Sequence, residues 1–95
     1  MIIVGDIGNT ETKICLVGVN NKIITRIKIN TKKLNPIILK KELLKFILYN
    51  KKIKKCLFCS VVPKTFNKIK FFLNKNYRFK CYELKDLKLN KLLTI

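Results

Sequence analysis

The chain is a succession of short apolar runs whose period changes from two to three or four. It opens on "MIIVGD", an apolar run closed by an acid, which is the pattern of a strand at the centre of a sheet. "ETKICLVGV" then alternates, with Thr12, Ile14 and Leu16 on one face and Lys13, Cys15 and Val17 on the other. Asn20 and Asn21 follow and predict a two-residue hairpin turn, because Asn tolerates positive φ. "KIITRIKIN" alternates again. Ile23, Thr25, Ile27 and Ile29 share one side, while Ile24, Arg26 and Lys28 share the other, which suits a strand near a sheet edge. These three elements predict an antiparallel meander.

The period then lengthens. Asn35 suits a helix N-cap and Pro36 the first helical position. Leu43, Leu44, Ile47 and Leu48 recur at helical spacing with Lys40, Lys41 and Lys45 outside them, and Asn50 is the expected stop. "CLFCSVV" is a continuous apolar run bounded by Pro63 and predicts a strand buried on both faces. "KTFNKIKFFLNK" predicts a second amphipathic helix with Phe66, Ile69 and Leu73 in its stripe. "FKCYEL" predicts a fifth strand, and the weak pattern of "DLKLNKLLTI" predicts no element. The expected fold class is α/β, in the order β-β-β-α-β-α-β, with a mixed five-stranded sheet. That order is similar to the ribonuclease H-like half of which two copies build the actin-like ATPase and sugar kinase architecture.

Ninety-five residues make one domain at most, spanning 1–95. An apolar share of 48% places the chain among globular rather than disordered sequences. No run reaches the roughly 18 apolar residues of a membrane span. No basic region precedes the first apolar run, so no secretory signal is expected, and the expected location is the cytoplasm. The net charge is +17. That charge invites a nucleic-acid reading, but nearly all the basic residues are Lys and they are spread along the chain, whereas bidentate readout favours Arg. No specific nucleic-acid partner is expected. Cys56 and Cys59 form a C-x-x-C, half of a zinc site, with no His anywhere to complete it. In a strand those two residues point to opposite faces, so core thiols are the better reading.

The candidate chemistry lies in "DIGNTETK", residues 6–13. A glycine at residue 8 lets the backbone pass close to a ligand. Successive N–H groups in such a turn form a concavity that takes anions. Asn9 and Thr10 add polar side chains, and Lys13 can neutralise phosphate charge. Phosphate would repel Asp6 unless a cation lay between them, and Mg²⁺ commonly sits between one or two carboxylates and phosphates. An ordinary turn built on Asp6 and Asn9 explains the same residues without a ligand.

"DIGNTETK" near the N-terminus, paired with "SVVP" at Ser60 to Pro63, resembles the type III pantothenate kinase family. The resemblance covers nearly the whole chain, and the pair is more specific than either motif alone. It implies an N-terminal ATP-binding domain of an enzyme that phosphorylates pantothenate in coenzyme A synthesis, and a homodimer at full length. It implies an ATP site formed by Asp6, Ile7, Gly8, Asn9, Thr10, Glu11, Thr12 and Lys13, with Asp6 at the metal–phosphate end holding Mg²⁺. It implies also a monovalent cation, K⁺ or NH₄⁺, in the full enzyme. Cys15 departs from the small residue many members carry there. The family's G-x-D-R motif, with its catalytic base, does not occur in this chain, nor does the later D-x-G-T segment. The expectation is therefore a chain truncated before its second domain. Such a chain would hold no catalytic residue, take up pantothenate only with the missing domain, bind ATP at about millimolar affinity, and self-associate. The competing reading is a non-catalytic actin-like module for binding or regulation.

Overall fold

The computed structural model describes residues 1–47 and 50–84. Five strands and two helices follow the expected order: β1 Ile2–Ile7, β2 Glu11–Val17, β3 Ile23–Asn30, α1 Pro36–Ile47, β4 Lys55–Ser60, α2 Pro63–Tyr77 and β5 Cys81–Glu83. They form one mixed sheet in the order β3-β2-β1-β4-β5. The first three strands pair antiparallel, while β4 pairs parallel to both β1 and β5. β3 lies at an edge, as its half-polar alternation predicts.

One face of the sheet carries the main core. Ile3 and Ile7 of β1, Ile14 and Leu16 of β2, Ile27 and Ile29 of β3, and Cys56 and Phe58 of β4 are all buried there. Leu39, Leu43 and Phe46 of α1 and Phe66, Ile69, Phe72 and Leu73 of α2 belong to the same cluster. Each such Ile, Leu or Phe stabilises the fold by about 1.5–3 kcal/mol relative to exposure. Gly5 interrupts the β1 stripe because the Phe58 ring occupies the space its side chain would need. The opposite face holds a smaller buried cluster of Val4, Cys15 and Val17, with Ile2, Ile23 and Cys59 packed against it.

Several expectations change in detail. The β2–β3 connection is longer than two residues. A 3₁₀ turn spans Val19–Asn21 and is closed by the Gly18 amide donating to the Lys22 carbonyl at 2.8 Å. Asn20 and Asn21 do take positive φ, at 64° and 58°. The pairing register shifts between Leu16 and Val17, and Ile23 leaves its expected face to join the smaller cluster. In α1 the buried stripe is Leu39, Leu43 and Phe46. Leu44 is 54% exposed, because it lies about 100° round the helix from Leu43 and the sheet covers the side that Leu39, Leu43 and Phe46 share. Leu48 and "DLKLNKLLTI" lie outside the described residues. β4 is fully buried only on its helix-facing side, since Leu57 and Cys59 are half-buried, and it ends at Ser60 rather than running through the two valines.

The N-terminal cap of α1 is as expected. Asn35 Oδ1 accepts the Ile38 amide at 2.9 Å. At the C-terminal end of α2, Arg78 takes the left-handed conformation, with φ 59°, and its amide donates to the Asn74 carbonyl.

Candidate functional site

β1 and β4 run parallel and end together. Asp6 pairs with Cys59, and Ile7 with Ser60. The Val61 amide donates to the Ile7 carbonyl at 3.0 Å, so the "SVVP" stretch leaves the sheet directly beside "DIGNT". Ser60 Oγ accepts the Val62 amide at 3.0 Å, which shapes the exit into α2. The two motifs therefore meet at the carboxyl end of adjacent parallel strands, where open α/β sheets bind their ligands.

The turn from β1 to β2 is built around Gly8. Its amide donates to the Glu11 carbonyl at 3.0 Å. A Cβ on Gly8 would stand 3.0 Å from that same carbonyl oxygen, so glycine permits the close approach. The turn is then anchored by Thr31, the residue directly after β3. The Thr31 amide donates to the Thr10 carbonyl at 3.0 Å, and its hydroxyl donates to the Gly8 carbonyl at 2.8 Å. Thr12 Oγ1 lies 2.8 Å from Thr31 Oγ1. A hydroxyl carries one proton and Thr31 gives its own to Gly8, so Thr12 is the donor of that second bond. The relay runs Thr12 to Thr31 to the Gly8 carbonyl.

The Asn9 and Thr10 amides have no acceptor among the described residues. Asp6, Asn9, Thr10, Glu11 and Lys13 are exposed, and Gly8 is half-buried. Ile7 and Thr12 have no accessible surface, so their side chains belong to the core and not to the surface of the turn. Lys13 stands opposite Asp6 in the β1–β2 register, with its Nζ 3.8 Å from the Glu11 carboxylate. Both members of that ion pair are about half exposed, and solvent screens it heavily.

Asp6 sits on the face away from the helices and is felt by its neighbour. Burial, and then the Asp6 charge, push the Cys59 thiol above its ordinary pKa. On the helix-facing side Cys56 is held protonated by its hydrogen bond with Cys81 and by burial. No group of three metal-binding side chains occurs among the described residues.

A groove of about 550 Å³ lies elsewhere, between α1 and α2, lined by Leu34, Ile37, Phe71 and Phe72 together with Lys40 and Lys68. It shares no residue with the turn. Its lining is mainly apolar side chains with no carboxylate, so it offers nothing to a phosphate–metal pair beyond charge.

Thr31 is the residue sequence reasoning missed. The signal was present in Thr12, a polar residue in register with Ile14 and Leu16 on the core-facing stripe. A buried hydroxyl must find a partner.

The strand order and the glycine turn at the end of β1 define an α/β ribonuclease H-like half of the kind found in actin-like ATPases. The family model for type III pantothenate kinase matches residues 2–95, and the chain belongs to that family. It is 63% identical over all 95 residues to a type III pantothenate kinase of Pelagibacter ubique (strain HTCC1062). The chain spans 38% of the length of that relative. Among the described residues no helix is long and apolar enough to cross a membrane.

Proposed function

We propose that residues 6–13 bind the phosphates of ATP and that the chain is the ATP-binding portion of a type III pantothenate kinase. The observation that carries this reading is the turn itself. Its carbonyls at Gly8 and Thr10 are tied inward, its Asn9 and Thr10 amides are left for an outside acceptor, and it stands at the carboxyl end of β1 beside an exposed Asp6. Phosphate oxygens are the acceptors such a concavity suits. Lys13 adds positive charge on the adjoining strand. Asp6 would hold Mg²⁺, which when bound offsets the repulsion between this carboxylate and the phosphates. Ile7 and Thr12 serve the site through backbone and packing.

The acceptor side of the reaction falls to residues beyond these. Glu11, Glu42 and Glu83 are the other acids among the described residues, and none of them sits in a G-x-D-R motif of the kind that carries the family's base. Pantothenate binding, the monovalent cation and the homodimer belong to the longer protein. By itself this chain gives no turnover, because phosphoryl transfer depends on positioning across a complete site. A cytoplasmic location agrees with such an enzyme.

The test is ATP-dependent phosphorylation of pantothenate by a protein that joins these residues to the rest of the length of the relative. The expected result is turnover that falls at least ~100-fold with Asp6→Asn, on the scale of losing one charge-stabilising group. Turnover unchanged by Asp6→Asn, with the same Mg²⁺ dependence, would remove Asp6 from the metal–phosphate role. A folded, full-length protein that leaves pantothenate unphosphorylated would overturn the reading as a whole.

A further inference from the structure

We propose that Thr31 is a positioning residue for the phosphate-binding turn, holding the Asn9 amide outward by taking the Gly8 carbonyl and anchoring the far side of the turn at the Thr10 carbonyl. The inference rests on the turn being a phosphate site, but its structural half can be tested without a ligand.

Thr31 makes two hydrogen bonds to the turn from one residue. Its amide reaches Thr10 and its hydroxyl reaches Gly8, across more than twenty residues of sequence. The hydroxyl is itself fixed by Thr12, so it cannot rotate away to another acceptor without abandoning that donor. All of this is shielded: Thr12 is 0% exposed and Thr31 8% exposed. The bonds therefore meet little competition from water. A peptide group presents its carbonyl and its N–H in opposite directions. Fixing the Gly8 carbonyl toward Thr31 commits the following amide, that of Asn9, to the other side. Fixing the Thr10 carbonyl does the same to the Thr10–Glu11 peptide, so the Asn9–Thr10 peptide, with the Thr10 amide, is held between two anchored neighbours. A turn released from Thr31 can rotate a carbonyl oxygen toward the position where an anion would sit, replacing attraction by repulsion.

The chemistry specifies which substitutions matter. Thr31→Val keeps shape and removes the hydroxyl, leaving the Gly8 carbonyl unpaired. Thr31→Ser keeps the hydroxyl. Thr12→Val removes the donor to Thr31 while leaving the bond from Thr31 to Gly8 available. The expected order of damage is Thr31→Val, then Thr12→Val, then Thr31→Ser.

The experiment uses ¹⁵N-labelled chain. The backbone amide resonances and hydrogen-exchange rates of residues 8–11 are measured first, then titrated with Mg·ATP and, separately, with inorganic tripolyphosphate. Thr31→Val is expected to speed exchange of the Gly8 amide and move the Asn9 and Thr10 resonances. It should weaken Mg·ATP at least tenfold, with Thr31→Ser within threefold of the parent. Urea unfolding of all three variants separates a general loss of stability from a local one: the exchange change must be confined to the turn. If the turn resonances and exchange are unmoved by Thr31→Val, the positioning role is overturned even if ATP binds. If the turn loosens but the parent chain binds neither Mg·ATP nor tripolyphosphate, the positioning role stands for the turn and the phosphate reading fails. If Thr31→Ser weakens binding as much as Thr31→Val, the hydroxyl is not what matters and the proposal falls. Should Thr31→Val not fold, Thr12→Val carries the same readouts, and an unmoved turn in that variant overturns the relay.

Discussion

Gly5→Ala is expected to destabilise the fold, although glycine in a strand is ordinarily a weakness. A methyl group at this position would fall inside the van der Waals surface of the Phe58 ring at Cε1 and Cδ1, and lie 3.2 Å from Cζ. The ring cannot swing clear. Phe58 has no accessible surface, is paired directly with Gly5 across the β1–β4 ladder, and packs against Phe66 with ring centroids 6.0 Å apart. Forcing an extra methyl group into a packed core costs about 1–3 kcal/mol. Replacing glycine returns roughly 0.5–1 kcal/mol of backbone entropy. The net is a loss centred on ~1 kcal/mol, within a range from zero to about 2.5 kcal/mol. In a domain of this size that lowers Tm by roughly 4–8 °C for each kcal/mol. Urea unfolding followed by circular dichroism gives the same quantity at 25 °C and checks that the slope with urea is unchanged. The decisive measurement is the cycle with Phe58→Leu. If the ring is what opposes the methyl group, the two changes compensate, and the double variant is more stable than their sum by about 1 kcal/mol or more. A Gly5→Ala protein more stable than the parent, or a cycle that is simply additive, would refute the reasoning.

Two further outcomes follow from the geometry. The Cys59 thiol should alkylate with a pH profile displaced above that of a free thiol, read peptide by peptide in the mass spectrometer. Burial and the Asp6 charge both disfavour the thiolate, so Asp6→Asn removes one of the two causes and should move the profile to lower pH. An unmoved profile would separate Asp6 from Cys59. Asn35→Ala deletes the side chain that caps α1 and should cost about 1 kcal/mol, with no change in the amide spectrum of residues 8–11. Loss of the turn resonances in that variant would mean that the cap and the turn are not independent.

Much of this architecture was legible because its signals are local. Alternation in β2 and β3, the Asn35–Pro36 start of α1 and the Pro63 start of α2 each need only a few neighbouring residues. The departures arise where a distant partner decides. Leu44 is as apolar as Leu43, but only the position of the sheet says which of the two is covered. Ile23 follows the alternation of its own strand, yet the register shift opposite it moves it to the other face. Nothing local says that the apolar run at β4 would be closed on one side and only half-closed on the other.

The site divides in the same way. "DIGNTETK" and "SVVP" could be read separately, and the parallel register of β1 and β4 is what brings them to one end of the sheet. What holds the turn could not be read from either. It comes from Thr31, at the end of a strand that does not touch β1, through a hydroxyl whose direction follows only from counting protons among three groups. The exposed residues of the turn supply what a ligand would meet, while a buried pair of threonines sets how the backbone presents it. Thr12 is where the two kinds of information join. Its alternation put it in the core, its polarity required a partner there, and the question of which group could accept from it leads to Thr31 and from Thr31 to Gly8.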